Sequence, residues 1–251
     1  GNFGTALAGF TLPVMSRSFG IHGTFRLIAL LMLVTALVFR AGTEEMPLSG
    51  EGRTLRQALS VLKFRHTWLL SLLYFISFGV FMFFAVYLPT FLQDLFNVSM
   101  INAGLITGGF LTVATLCRPV GGMMADKMSA GKVLIAVYGV VILTTVYMAF
   151  YAHTPSSFLM ISYILSVFLG FGNGAVFKLV PALFPRQTGA VTGIVGAVGG
   201  LGGFLLPLIF VNIKAITGLY QNGFLLLSFL SLCCMSITSR QYMRIDKEED
   251  F

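Results

Sequence analysis

Charged residues, and acidic residues in particular, are scarce in this sequence. Only 10% of its 251 residues are charged, and Asp and Glu together number 9, whereas a soluble domain carries roughly 25% charged residues. With 57% hydrophobic residues and a mean hydropathy of +0.90, the chain has more apolar side chains than one globular core can bury. The composition excludes an ordinary soluble enzyme and predicts a protein that crosses a lipid bilayer several times.

Cysteines and catalytic motifs are also few. The 3 cysteines, Cys117, Cys233 and Cys234, lie inside apolar segments, so the sequence indicates neither a disulfide framework nor a metal cluster. It shows no catalytic dyad, phosphate-binding loop or metal-ligand spacing, and its 16 basic residues are scattered rather than gathered in a nucleic-acid-binding patch. We therefore expect no enzyme activity, no cofactor, no metal and no nucleic-acid partner.

Apolar runs bounded by charges, prolines and short polar turns divide the chain into about eight crossings. Each run approaches the ~20 residues needed to span hydrocarbon, and a spanning segment must be helical so that its backbone hydrogen bonds are satisfied internally. We therefore expect an all-α polytopic membrane protein. The predicted crossings are residues 1–16, 23–41, 68–93, 100–124, 133–152, 157–184, 187–213 and 222–239.

The longest polar stretch, residues 42–67, separates two crossings from a group of six. Residues 1–41 are then the last two helices of one bundle, residues 68–239 form a six-helix bundle, and residues 240–251 form a tail. Lys and Arg are concentrated in the linker, the tail and alternate turns. The positive-inside rule therefore places the linker and the tail on the cytoplasmic side of the cell membrane.

An internal repeat relates the first crossing to the seventh. Residues 6–13 (ALAGFTLP) and 200–207 (GLGGFLLP) share the pattern small-Leu-small-Gly-Phe-x-Leu-Pro. The two segments stand six helices apart, as in a transporter built from two parallel six-helix halves. The repeat predicts that this chain is a fragment and that four further helices precede it. The alternative is chance similarity between two glycine-rich helices.

Arg118 lies deep in a predicted crossing, ~12 Å along the helix from Asp126. A guanidinium at that depth is costly unless it meets water, protein or a counter-ion, and no acidic residue falls in the middle of a predicted crossing. Because the forked donors of Arg suit a planar oxyanion, we predict that Arg118 binds a small anion. The alternative is that its side chain extends to the cytoplasmic headgroups.

Four other residues are candidates for the same site. Tyr74 and Phe78 are four residues apart and share a helix face, so that a hydroxyl and a ring could line one cavity. An aromatic run, however, more commonly faces lipid or packs against other helices. Asn2 and Asn173 are amides close to glycines. Each could donate to an anion or bond to a neighbouring helix.

The seventh crossing is unusually rich in glycine. Because each glycine weakens a helix by about 1 kcal/mol relative to alanine, we expect a reason for them in close helix packing, bending or contact with a ligand. Each of these reasons places the helix at an interface that moves during gating. The glycines concerned are Gly189, Gly193, Gly196, Gly199, Gly200, Gly202 and Gly203.

Several segments together resemble a known family of transporters. Residues 121–127 (GGMMADK), followed by Gly131 and Lys132, resemble the cytoplasmic loop signature of the major facilitator superfamily. The glycine-rich stretch resembles the nitrate signature of the nitrate/nitrite porter family within it. Over its whole length the chain resembles helices five to twelve, the carboxy-terminal two thirds of a twelve-helix fold. The segments that resemble the porter family are residues 1–6, 68–92, 116–122 and 189–207.

The resemblance implies a transporter that carries nitrate or nitrite by rocker-switch alternating access, through a central cavity between two bundles. It implies that Arg118 is one of two arginines that hold the anion, that Tyr74 and Asn2 are polar contacts, and that Phe78 is one wall of an aromatic clamp. The partner arginine would belong to amino-terminal helices that this chain lacks. The expected partners are thus a small inorganic anion, the lipid bilayer and those helices.

The coupling of transport stays open at this stage. Exchange of nitrate for nitrite is favoured over proton symport, because no acidic residue in view falls in the middle of a crossing. Two other functions are alternatives. One is a facilitator for another small or organic anion or a drug, and the other is a membrane scaffold or sensor that transports nothing.

Overall fold

The computed structural model describes residues 2–43 and 59–249. Within these ranges, seven helices are long and apolar enough to cross a membrane, and a short 3₁₀ helix, Ser60–Lys63, precedes the second. The expected all-α polytopic fold is therefore confirmed. The helices are α1 (Asn2–Gly42), α2 (Arg65–Phe96), α3 (Met100–Met128), α4 (Ala130–Phe150), α5 (Pro155–Leu183), α6 (Thr188–Thr217) and α7 (Tyr220–Glu249).

The first two predicted crossings are joined in one helix. α1 contains 41 residues, which corresponds to about 60 Å of helix, or twice the thickness of the hydrocarbon core. Gly20 interrupts α1 with φ 67° and ψ 172°, a conformation that glycine adopts without a steric penalty. The described residues thus contain seven long helices instead of about eight, with Gly20 lying between the two predicted crossings.

The six predicted crossings that follow the linker each coincide with one helix, α2 to α7. Their ends follow local sequence signals. Ser99 and Thr154 cap α3 and α5 by accepting hydrogen bonds from backbone N–H groups three residues later. Asn97 and Gly218 end α2 and α6 in the left-handed conformation, which commonly terminates helices. The linker prediction falls largely on residues 44–58, which lie outside the described residues.

α2 lies at the centre of the bundle. It makes its most extensive contacts with α6 and also packs against α3, α5 and α7. α3 packs on α5, α4 packs on α7, and α1 packs on α3. The core is rich in aromatic rings because α2 contributes a series of fully buried phenylalanines. These are Phe81, Phe83, Phe84 and Phe91.

Glycines bring the backbones of α3 and α5 into direct contact. A Cβ atom on Gly121 would lie 2.3 Å from the Cα and carbonyl oxygen of Phe171. A Cβ atom on Gly174 would lie 2.1 Å from the carbonyl oxygen of Arg118. No side chain fits at either position without separating the helices. This contact therefore fixes the backbone of Arg118 relative to α5.

Ionic contacts join helix ends at both ends of the bundle. At one end, Asp126 of α3 pairs with Lys178 of α5. At the other, the hydroxyl of Tyr220 donates to Asp94 over 2.7 Å, and Lys214 Nζ lies 3.6 Å from the same carboxylate. The charged side chains are between 39% and 49% exposed, so each pair contributes only about 0–1 kcal/mol.

We expect Gly121→Ala to destabilise the bundle and Gly122→Ala to leave it intact. The new Cβ of Gly121→Ala meets the backbone of Phe171, and such overpacking typically costs about 1–3 kcal/mol. A Cβ on Gly122 meets nothing within 4 Å, and alanine favours the helix. Thermal unfolding midpoints of the two purified variants in detergent provide the measurement. Equal midpoints would contradict the described contact between α3 and α5.

Candidate functional site

The side chain of Arg118 points from α3 towards α2. Its Nη2 atom donates a hydrogen bond to the hydroxyl oxygen of Tyr74 over 3.1 Å. Tyr74 is only 3% exposed, whereas Arg118 is half-buried. The guanidinium therefore binds a phenol inside the bundle rather than extending along α3 to the helix end, as the headgroup alternative requires.

Two further aromatic rings surround this pair. The ring of Phe78 stacks on that of Tyr74 with a centroid distance of 5.0 Å and an angle of 15°. The ring of Phe177, from α5, meets Tyr74 edge-on at 4.7 Å. The Cζ atom of Arg118 lies 5.1 Å from the centroid of Phe177 and 5.9 Å from that of Tyr74. Both distances fall within the range of cation–π contacts.

Gly199 of α6 closes the remaining side of the Tyr74 ring. A Cβ atom at this position would lie 2.2 Å from Cδ1 and 2.6 Å from Cε1 of Tyr74. The absence of a side chain on Gly199 therefore lets one edge of the Tyr74 ring lie directly against α6. Together, α2, α5 and α6 hold the phenol that binds Arg118.

The positive charge of Arg118 has no acidic partner in the described part of the chain. The ion pairs found there join Lys178 to Asp126 and Lys214 to Asp94. A phenol is a neutral partner, and it occupies only one of the five N–H donors of the guanidinium. A partly buried cation without a counter-ion favours binding of an anion. Among the described residues, no cluster of three or more His, Cys, Asp or Glu side chains could hold a metal.

Of the two predicted asparagines, the structure describes the side chain of Asn173 only, and Asn173 is not part of this contact. Asn173 is 2% exposed, and its Oδ1 atom has no hydrogen-bond partner in the described part. It follows Gly172, which packs against α4, and precedes Gly174, which packs against Arg118. The structure therefore buries Asn173 between helices. Asn2 is the first residue of α1, and its side chain lies outside the described residues.

The structure divides the seven predicted glycines of α6 into two groups by what a side chain there would meet. Gly199, Gly202 and Gly203 lie against α2, where a Cβ would meet Tyr74, Phe75 and Met82 respectively. The other four are spaced by four, three and four residues and therefore share one stripe of the helix. A Cβ on any of these would meet nothing within 4 Å, and we call this stripe the open face. It consists of Gly189, Gly193, Gly196 and Gly200.

Phe177 is the site residue that sequence reasoning missed. It follows Asn173 by four residues and therefore shares its helix face, a spacing that could have drawn attention to it. Its importance arises from contacts with Tyr74 and Arg118, which belong to two other helices. Those contacts depend on how the three helices assemble, and the sequence of α5 alone does not contain that information.

Comparison with known proteins identifies the family of the chain. The model of the Major Facilitator Superfamily matches residues 1–207. The chain belongs to this superfamily. This membership agrees with the resemblance noted for residues 121–127.

Individual relatives are more specific. A nitrite extrusion protein of Bacillus subtilis (strain 168) is 38% identical over 242 residues, which is 96% of this chain and 61% of the relative. The probable nitrate transporter NarT of Staphylococcus carnosus (strain TM300) is 35% identical over 94% of this chain and 60% of the relative. The corresponding protein of Staphylococcus epidermidis is 34% identical with the same coverage.

These matches confirm the resemblance to the nitrate/nitrite porter family. The chain spans about three fifths of the length of these relatives. They are named as an extrusion protein and as transporters, not as enzymes, which agrees at the family level with the lack of catalytic motifs in the sequence.

We expect Gly199→Ala to disrupt the packing of Tyr74, and Tyr74→Ala to relieve that disruption. The methyl group of Gly199→Ala occupies the space of the phenol ring, at a typical overpacking cost of about 1–3 kcal/mol. In the Tyr74→Ala background the same substitution finds room and costs little. Thermal unfolding of the two single variants and the double variant measures this coupling.

A matched control is Gly139→Ala on α4. A Cβ there meets only Met235 Sδ, at 3.9 Å, so its effect should be the same with Tyr74 or Ala at position 74. If Gly199→Ala and Tyr74→Ala prove additive, the described contact between α6 and the phenol is wrong.

Proposed function

We propose that the complete protein transports nitrate or nitrite across the cell membrane. The observation that carries this proposal is the guanidinium of Arg118, held by a neutral phenol and lacking a carboxylate partner among the described residues. Such a group favours a small anion that it can grip with two donors at once. The relatives named for nitrite extrusion and nitrate transport support the identity of that anion.

The aromatic side chains favour a flat anion over a bulky one. The stacked rings of Tyr74 and Phe78 present a planar surface beside the guanidinium, and nitrate and nitrite are planar. A larger organic anion would need space that the rings of Phe78 and Phe177 occupy. This packing is our reason for preferring nitrate and nitrite to a drug or an organic anion as the substrate.

A second helical bundle would complete the site. We propose that amino-terminal helices cover the open face of α6 and supply further contacts to the anion, Asn2 of α1 being one contact near them. The open space beside Gly189, Gly193, Gly196 and Gly200 supports this arrangement. So does the greater length of the relatives. By the distribution of basic residues, the linker and the tail lie on the cytoplasmic side.

Alternating access follows from the charge of the site. When two bundles close around an unpaired guanidinium, the charge loses its contact with water and gains no counter-ion in exchange, which is unfavourable. A bound anion neutralises that charge and so stabilises the closed state relative to the open ones. The rocker-switch motion is therefore coupled to occupancy of the site, and the glycines on the open face of α6 lie where we expect the bundles to move.

We expect Arg118→Lys in the full-length protein to weaken nitrate binding about tenfold to a hundredfold. Lysine retains the charge but loses the forked donors, and one charge-assisted hydrogen bond is worth about 1.5–3 kcal/mol, with 1.4 kcal/mol corresponding to a factor of ten. The measurements are nitrate affinity and nitrate uptake by proteoliposomes. Arg26→Lys, at an exposed position of α1, is the matched control and should behave as wild type.

The alternatives predict other outcomes of this experiment. Nearly normal nitrate affinity in Arg118→Lys would overturn bidentate recognition at this residue. Wild-type protein that binds nitrate but does not move it would indicate a sensor. Uptake of an organic anion in preference to nitrate would indicate a different facilitator.

Exchange and proton symport are distinguished by counterflow. With nitrite inside the vesicles and nitrate outside, exchange predicts uptake that requires the internal anion and ignores an imposed pH gradient. We expect this result, because the acidic residues of the described helices lie at helix ends. Uptake that needs no internal anion and follows the pH gradient would instead establish symport.

A further inference from the structure

Phe177 contacts both members of the pair that forms the anion site. Its ring lies 5.1 Å from Arg118 Cζ and meets the Tyr74 ring edge-on at 4.7 Å, with an interplanar angle of 75°. The hydrogen bond between Arg118 and Tyr74 closes a triangle of side chains. Each vertex comes from a different helix, α3, α2 and α5, so the triangle joins three helices at the site.

We infer that Phe177 is a positioning residue that fixes the orientation of the Arg118 guanidinium and thereby sets its affinity for the anion. This inference rests on the proposed function. The Tyr74 hydroxyl alone holds one nitrogen of the guanidinium and leaves the group free to rotate about that hydrogen bond. The ring of Phe177 supplies a second contact, and the two contacts together determine which way the remaining donors point.

The position of this ring is fixed by the backbone rather than by the side chain alone. Gly174, three residues before Phe177, lies so close to α3 that a Cβ would sit 2.1 Å from the carbonyl oxygen of Arg118 itself. α5 thus contacts both the backbone and the side chain of the same arginine. The distance between ring and guanidinium therefore depends on a helix contact that has little freedom to change.

An arginine that is already oriented binds its ligand more tightly than a mobile one. Arginine has several rotatable bonds, and ordering them on binding reduces the affinity. Without the ring, the guanidinium also becomes free to extend towards the end of α3 and the headgroups. The aromatic character of residue 177 matters, because an aliphatic side chain fills the volume but lacks the negative ring face that attracts the cation.

The test is nitrate binding by the full-length protein carrying Phe177→Leu or Phe177→Tyr. We expect Phe177→Leu to raise the dissociation constant about threefold to thirtyfold, in the range of a partly buried cation–π contact. Phe177→Tyr retains the ring and should remain within about twofold of wild type. The maximal transport rate should change less than the apparent affinity, because the ring acts on binding. Thermal unfolding of each unliganded variant reports whether its fold is intact.

Phe168→Leu is the matched control on the same helix. The Phe168 ring packs on Phe171 at 5.6 Å, and none of the described ring contacts joins it to Arg118 or Tyr74. The substitution Phe168→Leu should therefore change nitrate affinity little. If Phe177→Leu does not fold, Phe177→Met is compared with Phe177→Tyr in its place, because methionine also fills the volume without a ring face.

Failure of this inference and failure of the proposed function have different signatures. Weak binding by Arg118→Lys together with normal binding by Phe177→Leu would overturn the role of Phe177 and leave the proposed function intact. Normal binding by both variants would overturn bidentate recognition by Arg118 as well as the role of Phe177. Equal losses in Phe177→Leu and Phe177→Tyr would show that the volume of the side chain, and not its ring face, is what matters, and would overturn the inference.

Discussion

The structure depends on one uncompensated charge. A membrane protein rarely retains a cation within its spans unless the cation has a use, because the cost is several kcal/mol. Arg118 meets a phenol and a phenyl ring, both of which accept a guanidinium without neutralising it. Its surroundings therefore reduce the cost of burial and at the same time preserve the attraction for an anion. A carboxylate in the place of Tyr74 would have removed that attraction.

Glycine is what allows so many helices to approach this one side chain. Gly174 brings α5 to the backbone of Arg118, and Gly199 brings α6 to the ring of Tyr74. In lipid, helices associate through close packing rather than through exclusion of water. The same residues that hold the bundle together therefore also determine the geometry of the site. At these positions, stability and the proposed recognition of an anion are therefore difficult to separate.

Much of the fold follows from hydropathy. An apolar segment that crosses the bilayer must form its backbone hydrogen bonds internally, and a helix is the structure in which a single segment can do so. Six crossings coincide with helices for this reason. The sequence predicts a break between residues 16 and 23, but not the form that the break takes. The polar residues around Gly20 are typical of a turn, yet a single glycine with positive φ suffices to interrupt α1.

The site was partly predictable for similar reasons. The depth of Arg118 and the spacing of Tyr74 and Phe78 are properties of single helices, and the sequence reveals them. The burial of Asn173 and the contacts of Phe177 depend on the rotation of α5 about its axis. In a helix that is apolar on all sides, hydrophobic periodicity does not indicate that rotation.

The two groups of glycines on α6 separate two kinds of mutational damage. Where the glycines pack against α2, an added side chain forces α6 and α2 apart, and the damage appears as a lower melting temperature. On the open face, the same bulk meets no neighbour within this bundle. Under the proposed function, added bulk there would hinder the motion of one bundle past the other, so such a variant would melt normally and transport slowly. Substitutions only a few residues apart on one helix would thus lower either the stability of the fold or the rate of transport.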